Sequence, residues 1–205
     1  MNQKKTENGR SMVEMLGVLA VIGVLSIGGI AGYRMAMKKN IENDFANFFQ
    51  YIRLMAETER FNEYSNLAAE DYPTRNNVLC QYAGDNYCQP YVSPADGHTD
   101  ANYYMSNHFY WRISYLASFP RDTEACGKDD EIIRVQADLK AHHPNLATDP
   151  ELCKNLVTIA EQTFGDMFCG FNIGSMGLSA DTMRAECENG KGFQIFNVIL
   201  SRGSL

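Results

Sequence analysis

From residue 15 to residue 33 the chain reads "MLGVLAVIGVLSIGGIAGY", nineteen positions without a charge. At about 1.5 Å per helical residue, such a run is long enough to cross a hydrocarbon core of roughly 30 Å. Beyond it the pattern changes. Ile41, Phe45, Phe48, Phe49, Ile52 and Met55 recur at steps of three and four, while Glu42, Asp44, Arg53, Glu57 and Glu59 occupy the other faces. That spacing predicts an amphipathic helix lying on a core. No proline precedes Pro73, so one helix is predicted over residues 11–61, on the order of 75 Å long. Its weak place is Gly28, Gly29 and Gly32, since each glycine costs about 1 kcal/mol against alanine in a helix interior. Local bending or melting is expected there.

Further along, the period drops to two. In "YWRISYL" Trp111, Ile113 and Tyr115 alternate with Arg112 and Ser114, and in "IIRVQADL" Ile133, Val135, Ala137 and Leu139 alternate with Arg134, Gln136 and Asp138. Both read as half-buried strands. In "TDPELCKNLVTIAEQTFG" Asp149 is a candidate N-cap, Pro150 suits the first turn and Gly165 a stop. Leu152, Leu156, Ile159 and Ala160 fall on one side, which predicts a short helix. "SADTMRAECENG" predicts another, and "GFQIFNVIL" a final strand. The aromatic stretch "NYYMSNHFYWRISY" is expected to be mostly buried. The fold class is therefore α+β: a long N-terminal α-helix, half membrane-spanning and half amphipathic, packed on a small antiparallel β-sheet head with short extra helices. Residues 1–9 form a polar leader, residues 10–36 the span, and residues 37–205 the amphipathic continuation and the head.

Charge narrows the partners. With 18 basic and 25 acidic residues among 205, no localised basic face is evident, so nucleic acid is not an expected partner. All six cysteines, Cys80, Cys88, Cys126, Cys153, Cys169 and Cys187, follow the apolar run. An even count confined to one side of a span points to disulfides in an oxidising compartment outside the cytoplasm. They contain no CxxC pair, and His98, His108, His142 and His143 stand at no zinc-like interval from them, so no metal and no cofactor is expected. Six cysteines allow fifteen pairings. Sequential pairing is the expectation: Cys80 with Cys88, Cys126 with Cys153, Cys169 with Cys187. His142 and His143 beside Asp138 are expected in a solvated loop, because adjacent residues point apart. No nucleophile with an oxyanion-hole motif is visible, so the chain is not expected to be an enzyme.

Glu14 is the residue that asks for chemistry. A carboxylate placed directly before a membrane span is costly without a partner. Ahead of it, "MNQKKTENG" carries Lys4 and Lys5 and ends in Gly9. A cleavable secretory signal would have a small-residue cut site after its apolar region. Here the run flows instead through "GGIAGYRMAMKKN" into helix-like sequence, so the apolar segment is expected to be retained.

With its basic leader, "GRSMVEMLGVLAVIGVLSIGGIAGY" resembles the N-terminus of type IV pilins and related pseudopilins. The resemblance covers about residues 5–40 and is architectural beyond them. It implies cleavage by a prepilin peptidase after Gly9, which makes Arg10 the first mature residue and Glu14 the fifth. In that family the glutamate pairs with the N-terminal amine of a neighbouring subunit and sets the axial register, while the apolar helices pack into a filament core. Val18, Leu19, Val21, Ile22, Val24, Leu25 and Ile27 would supply that surface, with Gly17, Gly23, Gly28 and Gly32 permitting close approach. Arg10 stands where the family usually carries an apolar, N-methylated residue, and the proline that many pilins place in this helix is missing. The length and the "PELCKNLVTIA" stretch are more similar to type IVb than to type IVa pilins.

The resemblance implies a structural subunit of a type IV pilus. Its implied partners are the prepilin peptidase, other pilin subunits, an inner-membrane assembly platform and membrane lipid. Its implied location is the bacterial inner membrane and then the filament. A minor pilin or a type II secretion pseudopilin would share this N-terminus. An extracytoplasmic binding domain on a plain membrane anchor would not be cleaved at Gly9.

Overall fold

The computed structural model describes residues 8–57, 80, 83, 86–92, 97–116, 132–139, 143–173, 176–189 and 196–201. The chain divides into two compact units, Met1–Asn40 and Ile41–Leu205. Helix α1 (Asn8–Glu57) contributes its first part to one and its last part to the other.

In the first unit α1 is helical through Gly28, Gly29 and Gly32, so the expected melting at the glycines does not occur. The leucines, alanines and methionines around them are good helix formers and offset the glycine cost. Ser26 Oγ donates to the Ile22 carbonyl at 2.7 Å, which satisfies the hydroxyl inside the apolar run without an outside partner.

Among the described residues the second unit holds a seven-stranded sheet, the end of α1, two further α-helices described over their whole length and a short 3-10 turn at Gly165–Met167. The strands are β1 (Gln89–Val92), β2 (Thr99–Met105), β3 (Tyr110–Leu116), β4 (Ile132–Asp138), β5 (Phe168–Ile173), β6 (Met176–Leu178) and β7 (Phe196–Ser201). Their order is β1-β2-β3-β4-β7-β5-β6 and every pairing is antiparallel. The last strand thus lies inside the sheet, between β4 and β5. The apolar face is as expected where it is described: Trp111 pairs with Ala137, Ile113 with Val135, and Val135 with Val198, and all five are buried, but Gln136, expected on the polar face, is buried too.

Aromatic rings join α1 to that face. Phe48 lies 5.3 Å from Trp111, 5.1 Å from Phe109 and 5.6 Å from Tyr87 between ring centroids. Phe45 lies 4.1 Å from Phe109. Ile41, Phe45, Phe48, Phe49, Ile52 and Met55 are wholly buried, each contributing roughly 1.5–3 kcal/mol by leaving water. Trp111 Nε1 donates to the Tyr87 carbonyl at 2.6 Å, and the Tyr87 hydroxyl donates to the Asp44 carbonyl at 3.3 Å. Burial, and after it Asp44, pushes the Tyr87 phenol above its ordinary pKa.

Helix α2 (Pro150–Phe164) begins and ends as its sequence predicts. Asp149 caps it by accepting from Leu152 N at 3.0 Å, Pro150 opens it, and Gly165 closes it at φ 51°, a left-handed backbone that favours glycine. Its buried side is Leu152, Cys153, Leu156, Val157, Ala160 and Phe164. Ile159, expected on that side, is only half-buried. Helix α3 (Ala180–Glu188) is capped by Ser179, which accepts from Thr182 N.

Sequential disulfide pairing holds once and fails twice. Cys80 bonds Cys88, but Cys153 bonds Cys187, which excludes Cys126 with Cys153 and Cys169 with Cys187. The reason is tertiary: α2 and α3 pack side by side, bringing two buried sulfurs together across 34 residues. Cys169 is also disulfide-bonded. Cys126 lies outside the described residues, as do most of the leader and the predicted helix continuation over residues 58–61.

Candidate functional site: the apolar helix and Glu14

Every residue from 12 to 36 is exposed. Leu16, Val18, Leu19, Val21, Ile22, Val24 and Leu25 keep between 53% and 72% of their surface uncovered. At 100° per residue these positions fall on all sides of the helix, so no polar face exists to meet water. A helix apolar all round belongs in a protein core or a bilayer. The helix is long and apolar enough to cross a membrane, with a mean hydropathy of 2.2 over its best window and none of that window buried within the chain.

The glycines sharpen this. A Cβ built on Gly17, Gly23, Gly28, Gly29 or Gly32 meets nothing within 4 Å. Among the described residues no contact requires glycine there. Small residues along a membrane helix let another helix approach closely.

The two ends of the run are polar. Glu14 follows the first helical residues, exposed and engaged by a polar or electrostatic interaction within the chain. Gly9 and Arg10 occupy the first turn of α1. At the far end Tyr33, 65% exposed, precedes Arg34, Lys38 and Lys39, the composition of a membrane–water boundary.

The remaining expected residues lie in the head. His98 is exposed. His143 lies in a loop, as expected, but is half-buried, with its Nε2 3.0 Å from Nδ1 of His108. Thirty-five positions separate the two, and no spacing rule would have joined them. His142 lies outside the described residues. Among the described residues no group of three or more histidines, cysteines and carboxylates is placed to hold a metal. The aromatic stretch is buried at Phe109, Tyr110 and Trp111, whereas Tyr103 and Tyr104 are half-buried.

Two polar ties in the head were not legible in the sequence. Asn155 Nδ2 donates to Oε1 of the buried Glu42 at 2.6 Å, and Arg53 Nη1 donates to the Thr163 carbonyl at 2.7 Å. Both tie the end of α1 to α2. Family models, curated proteins and solved structures contain no match to this chain.

Proposed function

We propose that this protein is a prepilin: a structural subunit of a type IV pilus, cut by a prepilin peptidase after Gly9 and polymerised through its N-terminal helix. The observation that carries the reading is a helix whose residues 12–36 are apolar on every side and exposed. It begins with Gly9 and Glu14 at the five-residue spacing of a prepilin, and its last turns are buried in a disulfide-bonded α+β head. Such a surface is suited first to lipid and then to copies of itself. In a bundle of such helices Glu14 needs a positive partner, and the α-amine freed on Arg10 is one. The filament's rivals within the class, a minor pilin or a secretion pseudopilin, share this chemistry and differ in abundance.

The test is the N-terminus of the mature chain. Edman sequencing or mass spectrometry is expected to find it beginning at Arg10, and Gly9→Val is expected to leave a longer, membrane-retained form. Glu14→Ala should be processed normally and assemble poorly. An uncut wild-type chain in cells that process prepilins would favour a binding domain on a plain anchor. Wild-type filament yield from Glu14→Ala would remove the register role.

A further inference from the structure

His108 and His143 come from different parts of the head. His108 sits in the tight turn joining β2 to β3, where Ser106 Oγ accepts from the backbone N–H groups of both His108 and Phe109 at 3.1 and 3.0 Å. His143 sits on the connection from β4 to α2, donating its backbone N–H to Leu139 and accepting from Leu146 and Ala147. The side chains meet with Nδ1 of His108 3.0 Å from Nε2 of His143 and ring centroids 5.2 Å apart. The centroid distance is close to the nitrogen separation plus the two ring radii, so the nitrogens point at one another. A metal ion bound to both would need them turned toward a shared third point. Facing nitrogens at this distance are a hydrogen bond, in which one ring donates and the other accepts.

Such a bond accommodates a neutral pair, or a pair with one extra proton in which the imidazolium donates. It does not accommodate two cations, because both facing nitrogens would then carry hydrogen and both rings a positive charge. Free imidazoles take up a proton near about pH 6.5. We propose that the His108–His143 contact is an acid-labile clip, closed when at most one ring is charged and opened when both are, which releases the β2–β3 turn from the β4–α2 connection.

The titratable and charged groups on the elements meeting here have other engagements. On β3, Arg112 donates to Gln136 at 2.8 Å. Tyr110 has its pKa pushed up to about 12, by burial first and then by Tyr91 and Asp138. On β4, Asp138 lies opposite Tyr110. At the start of α2, Asp149 accepts from Leu152 N. On α1, which reaches this corner through Phe45 and Phe48 against Phe109, Glu42 accepts from Asn155, and Asp44 lies beside Tyr87. Asp138 is a carboxylate at this end of the sheet among the described residues, and its negative charge favours the charged rings and so tempers the opening. The sign follows: the clip contributes while at most one ring is charged, and that contribution is lost as falling pH charges both.

The test uses the full chain in detergent micelles. Amide hydrogen exchange of the 106–110 and 143–147 turns is followed by mass spectrometry at about pH 7.5 and about pH 4.5, on either side of the imidazole range, after correction for the intrinsic pH dependence of exchange. Protection of both turns is expected to fall by about tenfold or more in acid, the scale of a local opening. His143→Gln, whose amide keeps a hydrogen-bonding group at the Nε2 position without titrating, should flatten that pH dependence. His143→Ala should leave both turns weakly protected at both pH values. A wild-type profile without pH dependence, or the same acid loss in His143→Gln, overturns the proposal.

Discussion

The two parts of α1 share one backbone pattern and have opposite surroundings. Residues 12 to 36 are all exposed, whereas Ile41, Phe45, Phe48, Phe49, Ile52 and Met55 lose all their exposure to the head. Composition alone does not make the difference, since both parts are rich in large apolar residues. Arrangement does. After residue 40 the apolar residues keep to one face, with polar residues on the others, and one sheet face suffices to bury them. Before it they occupy every face, and no single packing surface within a chain of this size encloses a cylinder. The first part is therefore left exposed in the described structure, while the second is buried in the head.

Truncation on the two sides of that boundary should produce the largest contrast. Phe48→Ala is expected to destabilise the head by about 3–5 kcal/mol. Leu25→Ala should leave head stability within about 0.5 kcal/mol, because Leu25 is 69% exposed and surface substitutions cost little. Trp111 is the single tryptophan and is wholly buried, so its fluorescence during urea unfolding in micelles reports the head alone. A comparable loss in Leu25→Ala would show that the apolar part is supported by the head after all.

Next in size is the tie between α2 and α3. Breaking Cys153–Cys187 with Cys187→Ser should lower head stability by about 2–4 kcal/mol, read by the same fluorescence. Membrane extraction of the chain should not change if the apolar part is independent of the head. Reduced extraction resistance in this variant would join the two parts again.

The smallest effect belongs to the ion pair beside that disulfide. Lys154 Nζ lies 2.5 Å from Glu188 Oε1, and the hydrogen bond and charge of Lys154 hold the Glu188 carboxyl below its ordinary pKa. A carboxyl depressed in the folded state contributes stability above the ordinary carboxylate range and loses it as pH falls through the folded value. Lys154→Met should therefore narrow the difference in urea midpoint between neutral and mildly acidic solution by a small amount, since Glu188 is exposed and Lys154 half-exposed and the pair is screened by water. An unchanged difference would show that the pair contributes nothing measurable.

Where local chemistry decides an element, the sequence revealed it. Helix α2 carries its own start and stop signals in Asp149, Pro150 and Gly165, and β3 and β4 carry an apolar–polar alternation whose apolar set, Trp111, Ile113, Val135 and Ala137, is buried. Strands β1, β2, β5 and β6 went unread for physical reasons. β1 is four residues including Pro90, β6 is three residues, β5 contains Gly170, and β2 opens on Thr99 and Asp100. None has enough alternation to stand out, and each forms because a neighbouring strand offers its hydrogen-bonding edge. The candidate site divides in the same way. Glu14 and the charge-free run announce themselves, because charge beside a span is costly wherever the chain folds. The His108–His143 contact does not, because its partners come from separate connections.

By itself, the sequence determined the long helix, its division into an all-round apolar part and a one-sided part, and the disulfide-bearing α+β head. These follow from periodicity, charge and cysteine placement, which act over a few residues at a time. Only the tertiary structure decided that β7 enters the middle of the sheet, that Cys153 meets Cys187 rather than Cys126, and that two histidines share a proton position. Each of those depends on which distant surfaces pack together, and that is settled by burying the whole apolar face at once.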